Sequence, residues 1–300
     1  NLILHDKDFP KPEYLKSINF LGNVDAEGEM DSITPGSQHI VKVLLDQSDD
    51  RPIWIQAWGG TNTIARALKT IEEDHPDKMD YVADKLRFFF IWEQDYTYQK
   101  YIKPQWGKYN IPTIICDQFW AVAYQWDKIM PADKIQYFRS DWMKENILEN
   151  HGPLCSLYEA YKGGNDNEGF IAGDAKKQGD FRSEGDSPAF IYTIPTGLRS
   201  LESPDYGGWG GRYVKNQDLM NAYFKPITQW ADALQNDFAA RADWSIKSYE
   251  NANHAPVVIL KNKLDITAKI GSKIKLDATN SFDPDGDQLT YSWWQYEDAS

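Results

Sequence analysis

The stretch RPIWIQAWGGTNTIARAL, residues 51–68, runs from a short apolar segment through a polar Gly-Gly turn into residues at helical spacing. Ile53, Trp54, Ile55, Ala57 and Trp58 form the apolar run expected of a strand covered on both faces, and Arg51-Pro52 fits its entrance. Beyond the turn, Ile64, Ala65, Leu68 and Ile71 fall on one helix face, and Thr61, Asn62 and Thr63 offer side-chain oxygens to its first turn. A Gly-Gly turn between strand and helix is either an ordinary connection or one wall of a ligand site, so the surrounding pattern has to decide.

Working outward, a helix is expected from Ser37 to Asp46, with Ser37 as cap and Ile40, Val41, Leu44 and Leu45 inward. Leu86–Trp92 and Ile111–Cys116 read as buried strands. This alternation is the grammar of an α/β domain, a mainly parallel sheet with flanking helices, in which ligands bind beyond the carboxyl ends of the strands. Those ends carry Trp58-Gly59-Gly60, Glu93-Gln94-Asp95 and Asp117-Gln118. Three successive loops thus place polar or acidic groups along one edge.

Further on, Lys134–Asn150 reads as helical, and 161–187 as a long loop or lid. Ser187 is a good N-cap with Pro188 at the first helical position, which sets Asp186 beside a helix start; it either complements the helix dipole or faces a ligand. PDYGGWGGRYV, 204–214, is a glycine-rich turn pair around Trp209, and Gln217–Ser248 is an amphipathic helical region interrupted at Pro226, with Trp230, Leu234, Phe238 and Trp244 on its stripe.

Composition changes at Asn251–Pro256, a linker. Short runs at Val257–Leu260, Ile266–Ile270, Ile274–Leu276 and Leu289–Trp294 then suggest part of a β-sandwich. Asp283, Asp285 and Asp287 sit in a Gly-containing turn that fits either calcium or a solvated hairpin corner. Two domains are expected, 1–250 and 251–300.

The formal charge of −13 across 300 residues, with no cluster of Lys and Arg, argues against nucleic acid as the main partner. Twelve Trp, seventeen Tyr and thirteen Phe suit sugar-ring stacking and large cores alike. The two cysteines, Cys116 and Cys155, lack zinc-site spacing and read as free thiols or one disulfide. The sequence has no 18-residue apolar run, so no membrane span is expected, and the opening Asn1–Asp6, without an initiator Met or a signal peptide, reads as the start of a fragment.

Taken together, GGTNTIARAL, KLRFFFIWEQD, NHGPLCSLY, EGDSPAFIYTIPTGL, PDYGGWGGRY, FAARADW, NHAPVV and DPDGDQLTYSWW resemble, in order, the bacterial cellulose-binding proteins that join a nucleoside-hydrolase-like domain to a C-terminal immunoglobulin-like domain. The resemblance covers nearly the whole chain, and its specificity lies in the ordered set. It implies a nucleoside-hydrolase-like sheet, a partial immunoglobulin-like sandwich, an extracytoplasmic setting, and a carbohydrate partner, either cellulose or a sugar-containing small molecule. The wider nucleoside-hydrolase superfamily holds Ca²⁺ through an N-terminal Asp cluster, a turn carbonyl and a late Asp. By that likeness Asn62 takes the carbonyl position and Asp186 the late carboxylate, while the Asp cluster has no counterpart here.

The resemblance further implies a calcium-dependent hydrolase of glycosidic or N-glycosyl bonds; Glu93 and Asp95, at a strand end near the same edge, are candidate acid or base groups or substrate contacts, with a structural role equally open. The competing expectation is a polysaccharide-binding protein on the same scaffold without turnover. Candidate substrate contacts are Trp58, Gly60, Asn62, Asn150, His151, Glu184 and Trp209, with Trp120 a further stacking candidate and a local turn role the alternative for His151.

Overall fold

The structure is a computed structural model that describes residues 2–163, 176–183, 186–187, 189–194, 196–203, 206–212 and 220–296. The first helix near the sheet is α1, Pro35–Leu45. It begins earlier than Ser37: Thr34 is the cap, its Oγ1 accepting from Ser37 N at 3.2 Å while Ser37 Oγ accepts from Thr34 N at 3.0 Å. The reciprocal pair satisfies two end groups that a cap at Ser37 would leave open, and Pro35 fits the first turn, where no N–H is needed.

Strand β1 is Ile53–Ala57, helix α2 Asn62–Asp74, helix α3 Met79–Lys85, strand β2 Leu86–Ile91 and strand β3 Thr113–Cys116. The strands form a parallel sheet in the order β1-β2-β3, with Ile53 opposite Leu86 and Phe88 opposite Thr113. Parallel pairing requires a crossover, which α2 and α3 supply.

Alternation along β2 divides the core. Phe88 and Phe90 enter one cluster with Leu44, Ile64, Leu68, Ile71 and Val82, whereas Phe89 and Ile91 enter another with Ile114, Cys116 and Tyr192. β2 is therefore covered on both faces, as its apolar run requires. β1 differs from expectation: as an outer strand of this sheet it is only half-buried except at Ala57.

Helix α4, Ala189–Thr193, adds Ala189 and Tyr192 to the second cluster, while a third, with Trp126, Phe138, Met143, Ile147, Phe224 and Ile227, lies under α5 Met220–Thr228 and α6 Ala231–Trp244. Lys134–Asn150 is not one helix but three short turns, Ile135–Phe138, Ser140–Met143 and Lys144–Leu148. The cause is buried Asp180, whose carboxylate accepts from Ser140 N at 2.8 Å and pairs with Arg139 at 2.8 Å, while Phe138 O accepts from Phe181 N. These partners stop one turn and start the next. The later helical region breaks at Gln229-Trp230 rather than at Pro226, which lies inside α5. Cys116 and Cys155 are buried free thiols.

Among the described residues from 251 onward, the expected strands do not form. Val257 and Phe282 make one isolated antiparallel bridge, and Val258, Ile270 and Trp294 are exposed. A single extended layer has no facing layer on which to bury alternate side chains. It is tied to the first region by the Arg199–Asp265 ion pair at 2.8 Å and by Tyr296 against Trp230. No helix among the described residues is long and apolar enough to cross a membrane.

Candidate carbohydrate site at the carboxyl edge

The Gly-Gly turn is built around Asp95. Its Oδ1 accepts from Thr61 Oγ1 at 3.0 Å, Thr97 N at 3.0 Å and Thr97 Oγ1 at 2.8 Å, and its Oδ2 accepts from Asn62 N at 3.1 Å. An added Cβ on Gly60 would meet Asp95 Oδ2 at 2.5 Å, so glycine is required by close approach, while Gly60 itself is exposed. Asp95, a candidate acid or base from its strand-end position, is buried and caps the start of α2 through Asn62 N. It meets its hydrogen-bonding needs within the protein. Glu93 is exposed beyond β2 and accepts a hydrogen bond from Gln99.

Asn62 is the first residue of α2 and is buried, with Nδ2 donating to Asn23 O at 2.9 Å. Asn23 is a residue that the sequence reading missed. Its backbone N–H donates to Thr63 Oγ1, its Nδ2 to Glu29 Oε2 and Ser32 O, and its Oδ1 accepts from Thr34 Oγ1. One amide thus joins the loop before α1 to the starts of α1 and α2. Only its side-chain type, a double donor and acceptor in an irregular stretch, could have signalled it.

The helix after Asp186 lies across the sheet with Phe190 against Trp58, ring centroids 4.7 Å apart, and Tyr192 against Trp54 at 5.6 Å and Phe89 at 5.3 Å. The start of α4 therefore faces the carboxyl end of β1, with Asp186 three residues before it in sequence. Burial pushes the Asp186 carboxyl above the usual carboxylate range. Asp117, at the end of β3, is pushed the same way by the packed strand end around it, although much of its surface is open. Among the described residues, no three acidic, imidazole or thiol groups converge to hold a metal.

Trp92, ending β2, adopts φ 56° and lies between Phe119 at 5.2 Å and Trp120 at 5.0 Å. A left-handed non-glycine residue at a strand end marks a place where packing overrides backbone preference. Trp120, one of the stacking candidates, thereby belongs to an aromatic cluster at the third strand end.

Trp58 lines a cleft of about 440 Å³ together with Trp54, Gln56, Phe190, Thr193 and Leu201. Trp58 Nε1 donates to Gln56 Oε1 at 2.9 Å, which orients that amide. The cleft unites the strand's outward residues with α4, a pairing that sequence order does not reveal.

The other candidates lie elsewhere. Asn150 is exposed with φ 65°. His151 Nε2 contacts Glu145 O at 3.1 Å, its O accepts from Ser245 Oγ, and its Nδ1 lies 3.1 Å from Asp243 Oδ1 as a charge contact without hydrogen-bond alignment. These contacts are with the end of α6 and with the turn that precedes His151. Trp209 is half-buried at the tip of a hairpin closed by Gly208 and Gly211 and packed against Tyr192 and Gln118. Glu184 lies outside the described residues.

Comparison with known proteins agrees with this architecture. Residues 1–213 match the family described as "Cellulose-binding Sde182, nucleoside hydrolase-like domain", and residues 273–300 match "Cellulose-binding protein Sde0182, C-terminal domain". A solved structure of a nucleoside hydrolase-related protein from Saccharophagus degradans, described as associated with carbohydrate metabolism, is similar with a TM-score of 0.75 and 30% identity, over 99% of this chain and 70% of that one. No curated protein matches significantly.

Proposed function

The chain belongs to the cellulose-binding family with a nucleoside hydrolase-like domain, and we propose that it binds polysaccharide of the cellulose type in the cleft beside β1. The observation that carries this reading is the cleft's lining: two indoles and a phenyl ring from Trp54, Trp58 and Phe190, with the Gln56 amide and Thr193 hydroxyl between them. A pyranose presents apolar C–H faces and a polar hydroxyl rim, so it needs flat rings with a few placed hydrogen-bonding groups. Replacing Trp58 by Ala should reduce retention on insoluble cellulose at least several-fold, a larger loss than Trp58→Phe shows, which keeps a ring against Phe190; the melting temperatures of both variants check the fold. Equal retention with an intact fold would overturn the assignment.

A second reading, hydrolysis of a glycosidic or N-glycosyl bond, is favoured by the raised carboxyl of Asp117 at the end of β3. A carboxyl kept protonated nearer neutrality suits proton donation to a leaving group. In this reading Asp186 and the Asn62 turn contribute to a calcium site, where the ion would orient sugar hydroxyls and lower the pKa of bound water. The remaining parts of the proposal are an immunoglobulin-like character for the region after residue 250, the division into 1–250 and 251–300, and an extracytoplasmic setting. They rest on the family resemblance, beside which a separate family match at 273–300 marks a distinct C-terminal segment.

A further inference from the structure

Given the sugar-binding role proposed for the cleft beside β1, on which this rests, we infer that Trp58 is a positioning residue as well as a stacking platform. It fixes Gln56 as the hydrogen-bond donor of the cleft, beside Thr193 as acceptor, so that the cleft reads the hydroxyls of a neutral sugar. Along β1 and the residue after it, alternate side chains share a face, which sets Trp54, Gln56 and Trp58 in one row at intervals of about 7 Å. Phe190 and Thr193, three residues apart on α4, share a side of that helix and line the same cleft.

The polarity of the two hydrogen-bonding groups follows from the bonds they already make. An indole N–H can only donate, so its 2.9 Å contact fixes Oε1 as the end of the Gln56 amide that faces Trp58. The two hydrogens of Nε2 are thereby turned away from Trp58, and among the described residues they meet no acceptor. Thr193 is committed in the opposite sense. Its Oγ1 donates to Phe190 O at 2.9 Å, a bond back along the helix that leaves the oxygen's lone pairs for a ligand. The cleft thus offers one donor and one acceptor. A hydroxyl both accepts and donates, so one sugar hydroxyl, or two on neighbouring carbons, meets both demands.

Charge narrows the ligand further. None of the residues lining the cleft is ionisable, and Arg199, two residues before Leu201, is already engaged by Glu202 and Asp265 and lies over Tyr206. A uronate carboxylate or an amino-sugar ammonium would enter without a counter-ion, and taking an unpaired charge out of water is strongly unfavourable. The indole therefore has a use beyond its area: a phenyl ring in its place would still face Phe190 but could not hold the amide.

A double-mutant cycle on the whole chain, titrated with cellohexaose, tests this. Trp58→Phe keeps a ring and loses the N–H, while Gln56→Leu keeps the approximate size and loses the amide. Trp58→Phe should weaken binding about five-fold in the unaltered chain but only about two-fold beside Gln56→Leu, where ring area is all that remains to be lost. An equal factor in both backgrounds would overturn the inference and leave the cleft reading intact. Coupling confined to melting temperature, with none in the dissociation constant, would overturn it too, because the bond would then be structural only. In unaltered protein, the side-chain ¹⁵N–¹H₂ signals of Gln56, identified by their absence from Gln56→Leu, should shift as cellohexaose is added. Unshifted signals in a chain that binds the sugar would refute the donor assignment. Failure of the unaltered chain to bind cellohexaose would sink the cleft reading itself, and this inference with it.

Discussion

At the scale of single residues, the Gly-Gly turn depends on Gly60 because a carboxylate occupies the space where a side chain would go. Gly60→Ala would push its methyl into Asp95 Oδ2, 2.5 Å away, and Asp95 is itself held by Thr61, Asn62 and Thr97. The expected cost is about 1–3 kcal/mol in urea unfolding, typical of overpacking against a fixed neighbour. A loss below a few tenths of a kcal/mol would mean that Asp95 swings away freely. Residue type in this stretch was legible: a glycine pair, a hydroxyl run and an acidic residue at neighbouring strand ends. The partner of each was not, because Asp95 meets Thr61 across 34 positions of chain. Sequence patterns report local periodicity far better than such closures.

At the scale of elements, the short helix α4 decides what the carboxyl edge can do. Its contacts with Trp54, Trp58 and Phe89 fix it against the sheet, and just before its start burial raises the Asp186 carboxyl. A carboxyl raised on folding means that the folded state binds the proton more tightly than the unfolded chain. Stability thus falls as pH climbs above the ordinary Asp value of about 3.9 and through the raised one. Asp186→Asn should therefore raise the melting temperature without metal at about pH 7, with the gain vanishing toward about pH 3, and should abolish any stabilisation by added Ca²⁺. An unchanged calcium response in melts of the variant would remove Asp186 from the ion site.

Elements with strong periodicity, α2 and β2, were readable because burial fixes their apolar spacing. Lys134–Asn150 was not, because one buried carboxylate, Asp180, distant in sequence, takes up its backbone groups. The C-terminal runs alternate as strands should, yet alternation names a face without supplying the layer that covers it.

At the scale of the whole molecule, the charge of −13 and the aromatic cleft make separate demands on a partner. An uncharged glucan held by stacking and hydroxyl contacts gains nothing from the protein's field, whereas a charged ligand would be screened or repelled according to ionic strength. Retention on cellulose should consequently change less than about two-fold between about 0.05 M and about 1 M salt. A steep fall, measured by depletion from solution, would place the binding energy in ion pairs and away from the rings. The α/β class and the parallel sheet were legible from the order of elements. The cleft was not, since Gln56 and Phe190 meet only after α4 folds back over β1.

β1 hydrogen-bonds to β2 along one side, and among the described residues no strand lies along the other. A row of amide and carbonyl groups there is an adhesive surface for any extended peptide, including β1 of another molecule. The same segment, IWIQAW, has no charge and no proline to discourage such pairing. Handled at high concentration, the chain would be expected to self-associate through this border. The outward residues Trp54, Gln56 and Trp58 would then be shared between sugar capture and unwanted assembly, so soluble oligosaccharide that fills the cleft should also slow aggregation.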